Sequence, residues 1–151
     1  MSKALIIFTS LTGNTEEMAD IMADRLESHQ IQTDVQEVMQ AEAEDFLNYD
    51  AVLVGSYTYG VDGTLPDEML DFYDDLGQLD LSGKVFGVFG SGDSFYPVFC
   101  GAIDTLEEQF LKTGATQGGV SCKIELNAET EDIIKLHALA DGIAEKLTQN
   151  E

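Results

Sequence analysis

The run Ala4-Leu5-Ile6-Ile7-Phe8-Thr9-Ser10-Leu11-Thr12-Gly13-Asn14-Thr15 passes from five apolar residues straight into a polar, glycine-bearing turn. Apolar residues in unbroken succession, without polar alternation, read as a strand buried on both faces. Met18, Ile21, Met22 and Leu26 follow at helical spacing, so the turn joins a strand to a helix. The same unit recurs along the chain. Residues 31–38 read as a second strand with polar outer positions, and Asp50 to Gly55 as a third, buried one. Pro66 suits the first turn of a helix, with Asp67 and Glu68 at its positive end. Lys84 to Gly90 is a fourth strand, and Ile103, Leu106 and Phe110 a helix stripe ending near Gly114. Val120, Cys122, Ile124 and Leu126 alternate as a fifth strand, and Ile133, Leu136, Ala140, Ile143 and Leu147 mark a last helix.

Strands alternating with helices imply a parallel sheet covered on both faces, an α/β architecture in three layers. The length of 151 residues and the absence of a linker predict one domain over residues 1–151. Ligands of such sheets sit outside the carboxyl ends of the strands, which reduces the search to the loops after Thr9, Gly55 and Gly90.

Charge removes several classes of function. Seven Lys and Arg against 29 Asp and Glu give a net charge of −22, and the isoelectric point is near 4.1. A surface of that sign repels nucleic-acid phosphates and anionic lipid, so neither nucleic acid nor membrane is expected as a partner. The apolar start after Met1-Ser2-Lys3 is too short for a signal sequence, and no run approaches the ~18 residues of a membrane span. With only Cys100 and Cys122 as cysteines, a cytoplasmic location is the expectation. Sparse Cys and His also speak against zinc or iron–sulfur sites.

The first loop offers Ser10, Thr12, Asn14 and Thr15, with Gly13 letting backbone N–H groups turn inward at a helix N-terminus. That is an anion nest of neutral donors. It lacks the lysine of a nucleotide-triphosphate loop and suits one terminal phosphate. An ordinary helix cap would need only one such side chain, not four in six positions. The second loop, Gly55-Ser56-Tyr57-Thr58-Tyr59-Gly60-Val61-Asp62-Gly63, and the third, Gly90-Ser91-Gly92-Asp93-Ser94-Phe95-Tyr96-Pro97-Val98-Phe99-Cys100-Gly101, both carry aromatics. Any one of these tyrosines could simply pack. Two aromatic loops beside a phosphate nest point to a flat, phosphorylated ligand.

Ser10 to Thr15, the glycine-aromatic middle loop, and Gly92-Asp93-Ser94-Phe95-Tyr96 running into Phe99-Cys100-Gly101-Ala102 together resemble a short-chain flavodoxin over essentially the whole chain. The fifth strand has no long insertion of the kind that marks long-chain members. The resemblance implies a flavodoxin-like three-layer α/β/α sandwich with a five-stranded parallel sheet in the order 2-1-3-4-5. It implies non-covalent FMN and a low-potential one-electron carrier that shuttles between semiquinone and hydroquinone, without substrate turnover of its own. Ser10, Thr12, Asn14 and Thr15 would then hold the phosphate, with backbone N–H groups from Leu11 and Gly13. Tyr96 would stack on the outer face of the flavin and Tyr59 cover the inner one. Asp93 and Cys100 would offer backbone N–H groups and Val98 a carbonyl to the pyrimidine edge. Tyr57, Thr58, Gly60, Ser91, Gly92 and Phe99 complete the expected cofactor shell. Tyr57 and Val61 depart from the residues that relatives often carry at those positions.

Among rivals, a receiver domain shares the fold. It needs an acidic pair after the first strand and an aspartate ending the third, where this chain has Thr9-Ser10 and Gly55-Ser56. An FMN-dependent quinone reductase is the enzymatic alternative, but no segment here supplies its nicotinamide site or shared substrate pocket. Cys100 has no neighbouring histidine and reads as structural, Cys122 as core, and His29 and His137 lie far from the three loops. The acids Asp62, Asp67, Glu68, Asp71, Asp74, Asp75 and Asp80 cluster after the second loop. They predict docking of basic redox proteins, such as a ferredoxin- or flavodoxin-NADP reductase or haem monooxygenases, and the protein is expected to be a monomer.

Overall fold

A computed structural model describes residues 2–10, 13–58, 65–92, 100–125 and 129–149. Its first strand, β1, spans Lys3–Phe8, and its side chains divide by parity. Ala4, Ile6 and Phe8 enter one apolar cluster, while Leu5 and Ile7 enter another. Strands β3 (Ala51–Tyr57) and β4 (Val85–Gly92) divide in the same way. Ala51, Leu53, Val85 and Phe89 face one layer, and Val52, Val54, Phe86 and Val88 the other. Two covered faces explain why these strands show no polar alternation. Each buried Val, Leu, Ile or Phe among them contributes about 1.5–3 kcal/mol by burial.

Helices α1 (Asn14–Ser28) and α4 (Thr130–Gln149) cover the first face. Met18, Ala19, Met22 and Leu26 pack from one helix, and Leu136, Leu139, Ala140, Ile143 and Leu147 from the other. Helices α2 (Asp67–Leu76) and α3 (Gly101–Lys112) cover the second face through Met69, Phe72 and Leu76, and through Ile103, Leu106 and Phe110. Phe86 stacks on Phe110 at 4.7 Å between centroids, joining the sheet to this layer. Two 3-10 turns, Val38–Gln40 and Ala43–Asn48, were not legible as elements in the sequence and contribute Val38 and Phe46 here.

Strand β2 (Gln32–Glu37) pairs in parallel with β1, β1 with β3, and β3 with β4. The order is thus 2-1-3-4-5, as expected. The fifth lane differs in detail. It consists of two short pieces, β5 (Thr116–Gln117) and β6 (Cys122–Glu125), both paired in parallel with β4. Val120, expected to open that strand, lies between the pieces and is 86% exposed. The expected continuation to Leu126 lies outside the described residues. Among the described residues no helix is long and apolar enough to cross a membrane.

Candidate functional site

Three chain segments leave the sheet at the carboxyl ends of β1, β3 and β4, and their described residues are tied to one another. After β1, Thr9 donates its backbone N–H to the Gly55 carbonyl at 3.0 Å, so the first loop springs from the base of the second. Gly13 precedes α1 with φ of 91°, a left-handed conformation a side chain would strain. Its N–H donates to Ser10 Oγ at 3.0 Å. Thr15, in the first turn of α1, is buried, and its hydroxyl shares a 3.1 Å hydrogen bond with Ser91 Oγ at the end of β4. Thr58 donates its N–H to the Ser91 carbonyl at 3.0 Å. Gly90 lets β4 lie this close to β3, because a Cβ there would fall on the Ser56 carbonyl oxygen.

The structure therefore brings Ser10, Gly13, Asn14, Thr15, Tyr57, Thr58 and Ser91 to one end of the sheet. Gly92 and Cys100 also meet there, since a Cβ on Gly92 would touch the Cys100 sulfur and backbone nitrogen. The remaining expected ligands, Leu11, Thr12, Tyr59, Gly60, Asp93, Tyr96, Val98 and Phe99, lie outside the described residues, as do Val61 and Asp62.

Cys100 starts α3 and is buried, and burial pushes its thiol up to about 12. A thiol so placed is neutral and unreactive at physiological pH, in keeping with its structural reading. Cys122 is also buried within the core. His29 bonds Asp141 at the far end of α1, distant in the fold from the three loops.

Sequence reasoning missed one cluster. Glu68, expected on an exposed acidic face, turns its carboxylate toward the sheet. Its Oε1 accepts from the Thr9 hydroxyl at 2.8 Å and from the Tyr57 hydroxyl at 2.6 Å. Burial pushes this carboxyl up, but hydrogen bonds from Tyr57, its own backbone N–H and Thr9 outweigh that and leave it below its ordinary value. No local sequence signal announces a contact between residues 59 positions apart.

Neutral donors at the N-terminus of α1 suit a phosphate monoester. Ser10 Oγ accepts from Gly13 and keeps its own proton to donate. The Thr58 hydroxyl oxygen is buried with no hydrogen-bond partner among the described residues, a deficit that a bound polar group would remove. A cavity of about 520 Å³ opens beside Ser10 and Gly13, with Phe8 and Met39 among its walls. Glu16, Glu37 and Glu68 also line it, so the donors at Ser10 and Gly13, not the charge of the walls, are what would hold an anion there.

Comparison with known proteins agrees with this geometry. The flavodoxin family matches over residues 6–137. The chain belongs to the flavodoxin family. Probable flavodoxin 2 of Bacillus subtilis is 44% identical over 133 residues, covering 87% of each chain. A solved flavodoxin from Streptococcus TIGR4 superposes with a TM-score of 0.93 at 50% identity, covering 96% of this chain and 99% of that one. A short-chain flavodoxin associated with a bacterial microcompartment superposes at 0.95 with 40% identity, covering 97% and 99%. Flavodoxins are FMN-binding electron-transfer proteins rather than enzymes in the usual sense, and FMN is the cofactor of this one. The residues described above fit it. When bound, FMN would supply the electron-transfer chemistry, and residues such as Ser10, Gly13, Asn14 and Thr15 would hold it.

Proposed function

We propose that this flavodoxin is a single-domain, low-potential carrier of single electrons. It would accept them from a reductase and deliver them to acceptor redox enzymes, its FMN alternating between one-electron-reduced and fully reduced forms. The observation that carries the reading is the cradle of neutral donors at the carboxyl edge, Ser10, Gly13 and Thr15 at the start of α1, together with a buried Thr58 hydroxyl that has no partner among the described residues. In this reading Ser10, Thr12, Asn14 and Thr15, with the N–H groups of Leu11 and Gly13, hold the phosphate. Tyr59 and Tyr96 cover the ring, and Asp93, Val98, Phe99 and Cys100 border its polar edge. A cradle without a lysine or arginine has a redox consequence: it adds no positive charge that would raise the potential of an electron-rich flavin.

Titration of the apoprotein with FMN, followed by a redox titration of the loaded protein, tests both parts. Two separate one-electron steps are expected, and a single two-electron step would overturn the proposal. Replacing Thr12 and Thr15 together by Ala removes two charge-assisted hydrogen bonds of roughly 1.5–3 kcal/mol each. FMN affinity should then fall by at least about a hundredfold. An unchanged dissociation constant would take the phosphate away from this loop.

A further inference from the structure

One carboxylate fastens the bases of two flavin loops. Strand β3 ends at Tyr57 and helix α2 begins at Asp67, so Glu68 is the second residue of α2. Through the Tyr57 hydroxyl, Glu68 ties the end of β3 to the start of α2. Through the Thr9 hydroxyl it pins the same point to the residue immediately before Ser10, where the phosphate loop begins. Thr9 is buried. Both bonds converge on the same oxygen, so neither hydroxyl can drift without loosening the other. Closing a loop costs entropy that is lost on binding unless the ends are already held.

We propose that Glu68 is a positioning residue for the cofactor: it preorganises the first and second loops in the apoprotein so that FMN meets a formed cradle. The proposal rests on the FMN reading above, and it assigns a role to the Tyr57 hydroxyl, which donates to Glu68. Glu68 acts here as the acceptor of both hydroxyls. A glutamine at this position keeps an Oε1 that accepts both hydroxyls, whereas an alanine keeps nothing.

The test compares Glu68→Ala, Glu68→Gln and Tyr57→Phe with the parent protein. The first readout is amide hydrogen exchange of the apoprotein at Thr9 and Thr58, whose N–H groups are bonded to the Gly55 and Ser91 carbonyls. The second is FMN affinity from quenching of flavin fluorescence. Glu68→Ala should speed exchange at both amides and weaken FMN, each by at least about tenfold. Glu68→Gln should stay within about threefold of the parent in both readouts. Tyr57→Phe, which loses the Tyr57 bond to Glu68 and keeps the Thr9 bond, should fall between. Parent-like exchange and affinity in Glu68→Ala would overturn the proposal. So would a Glu68→Gln protein as impaired as Glu68→Ala, because charge rather than acceptance would then be at work. Should Glu68→Ala not fold, the Gln and Phe variants decide: parent-like Tyr57→Phe in both readouts refutes the clamp. Exchange is measured without FMN, so a parent protein that failed to bind FMN would sink the cofactor reading while exchange still judged the clamp.

Discussion

Gly13 and Cys100 both stand at the start of a helix beside the site, and both lie in the left-handed backbone region, with φ of 91° and 53°. Gly13 has no Cβ and takes this conformation without strain. Cys100 carries a side chain and a cost of about 1–2 kcal/mol, which the surrounding packing must offset. Its sulfur is sunk in the core and directed at the Ile124 carbonyl, 3.9 Å away. Burial pushes Cys100 up to about 12 and Cys122 up to about 11, both far above pH 8. In the unfolded chain each would titrate near its ordinary ~8.5. Alkylation by iodoacetamide at pH 8 should therefore be at least about a hundredfold slower in the native protein than in denaturant, for both cysteines. Rapid labelling of Cys100 in the native protein would reveal an exposed thiol and undo its structural assignment.

Between elements, the α1–α4 contact depends on one acid as well as on apolar packing. Arg25 of α1 grips Asp141 of α4 with two hydrogen bonds of 2.8 and 3.1 Å, and His29 adds a third at 2.6 Å. The hydrogen bond from Arg25 holds the Asp141 carboxyl down at about 2, against an ordinary 3.8. A carboxyl with a depressed pKa stabilises the fold above its unfolded value and stops doing so as pH falls through its folded value. Asp141→Asn should lower the urea midpoint at pH 7 by a few tenths molar, as suits one half-exposed ion pair. The gap from the parent should close between pH 3.8 and about 2, the window set by the shift. A gap that stayed constant down to pH 2 would assign the effect to packing. Such long-range ties escape a reading of the sequence, and so does the break in the fifth lane. Strands β1, β3 and β4 were legible because burial on two faces leaves an unbroken apolar run. Val120 and Cys122 share the period of a strand, yet only Cys122 lies in one: Gly118 still donates its N–H to the Phe86 carbonyl of β4, but Gly119 then packs against Leu139 of α4 and Val120 is exposed before pairing resumes at Cys122. A two-residue period registers which side chains alternate and says nothing of whether the backbone is paired. Of the site, the turn from Ser10 to Thr15 was legible from its composition. Glu68 was not, because in sequence it looks like its exposed neighbours.

At the scale of the whole molecule the charge is unevenly spread. Between Arg25 and Lys84 there is no Lys or Arg, while fourteen Asp and Glu occur. With Glu68 turned inward, Asp67, Asp71, Asp74, Asp75 and Asp80 remain exposed on and after α2. Helix stability does not account for all of them. Asp67 favours the positive end of α2, but Asp74 and Asp75 sit in its last turn, where negative charge opposes the helix dipole and no basic residue offsets it. Two electrostatic consequences compete. At about 10 Å in a water-like dielectric each acid would disfavour an added electron on the flavin by roughly 0.4 kcal/mol, about 2 kcal/mol for five. A Debye length of about 8 Å at physiological salt cuts that to roughly a third. The effect on potential is therefore small. Encounter with an oppositely charged protein is governed by the same field summed over the whole face, and steering of that kind raises association rates by about 10- to 1000-fold at low salt. The acids should thus act on partner capture more than on the flavin. Replacing Asp71, Asp74 and Asp75 by Asn should slow reduction by a basic NADP-dependent reductase about tenfold at low ionic strength and flatten its dependence on salt. It should leave FMN affinity unchanged and, by relieving the last turn of α2, should not lower thermal stability. Stopped-flow reduction across a salt series decides the matter: a rate indifferent both to salt and to the three substitutions would move the docking surface to another face.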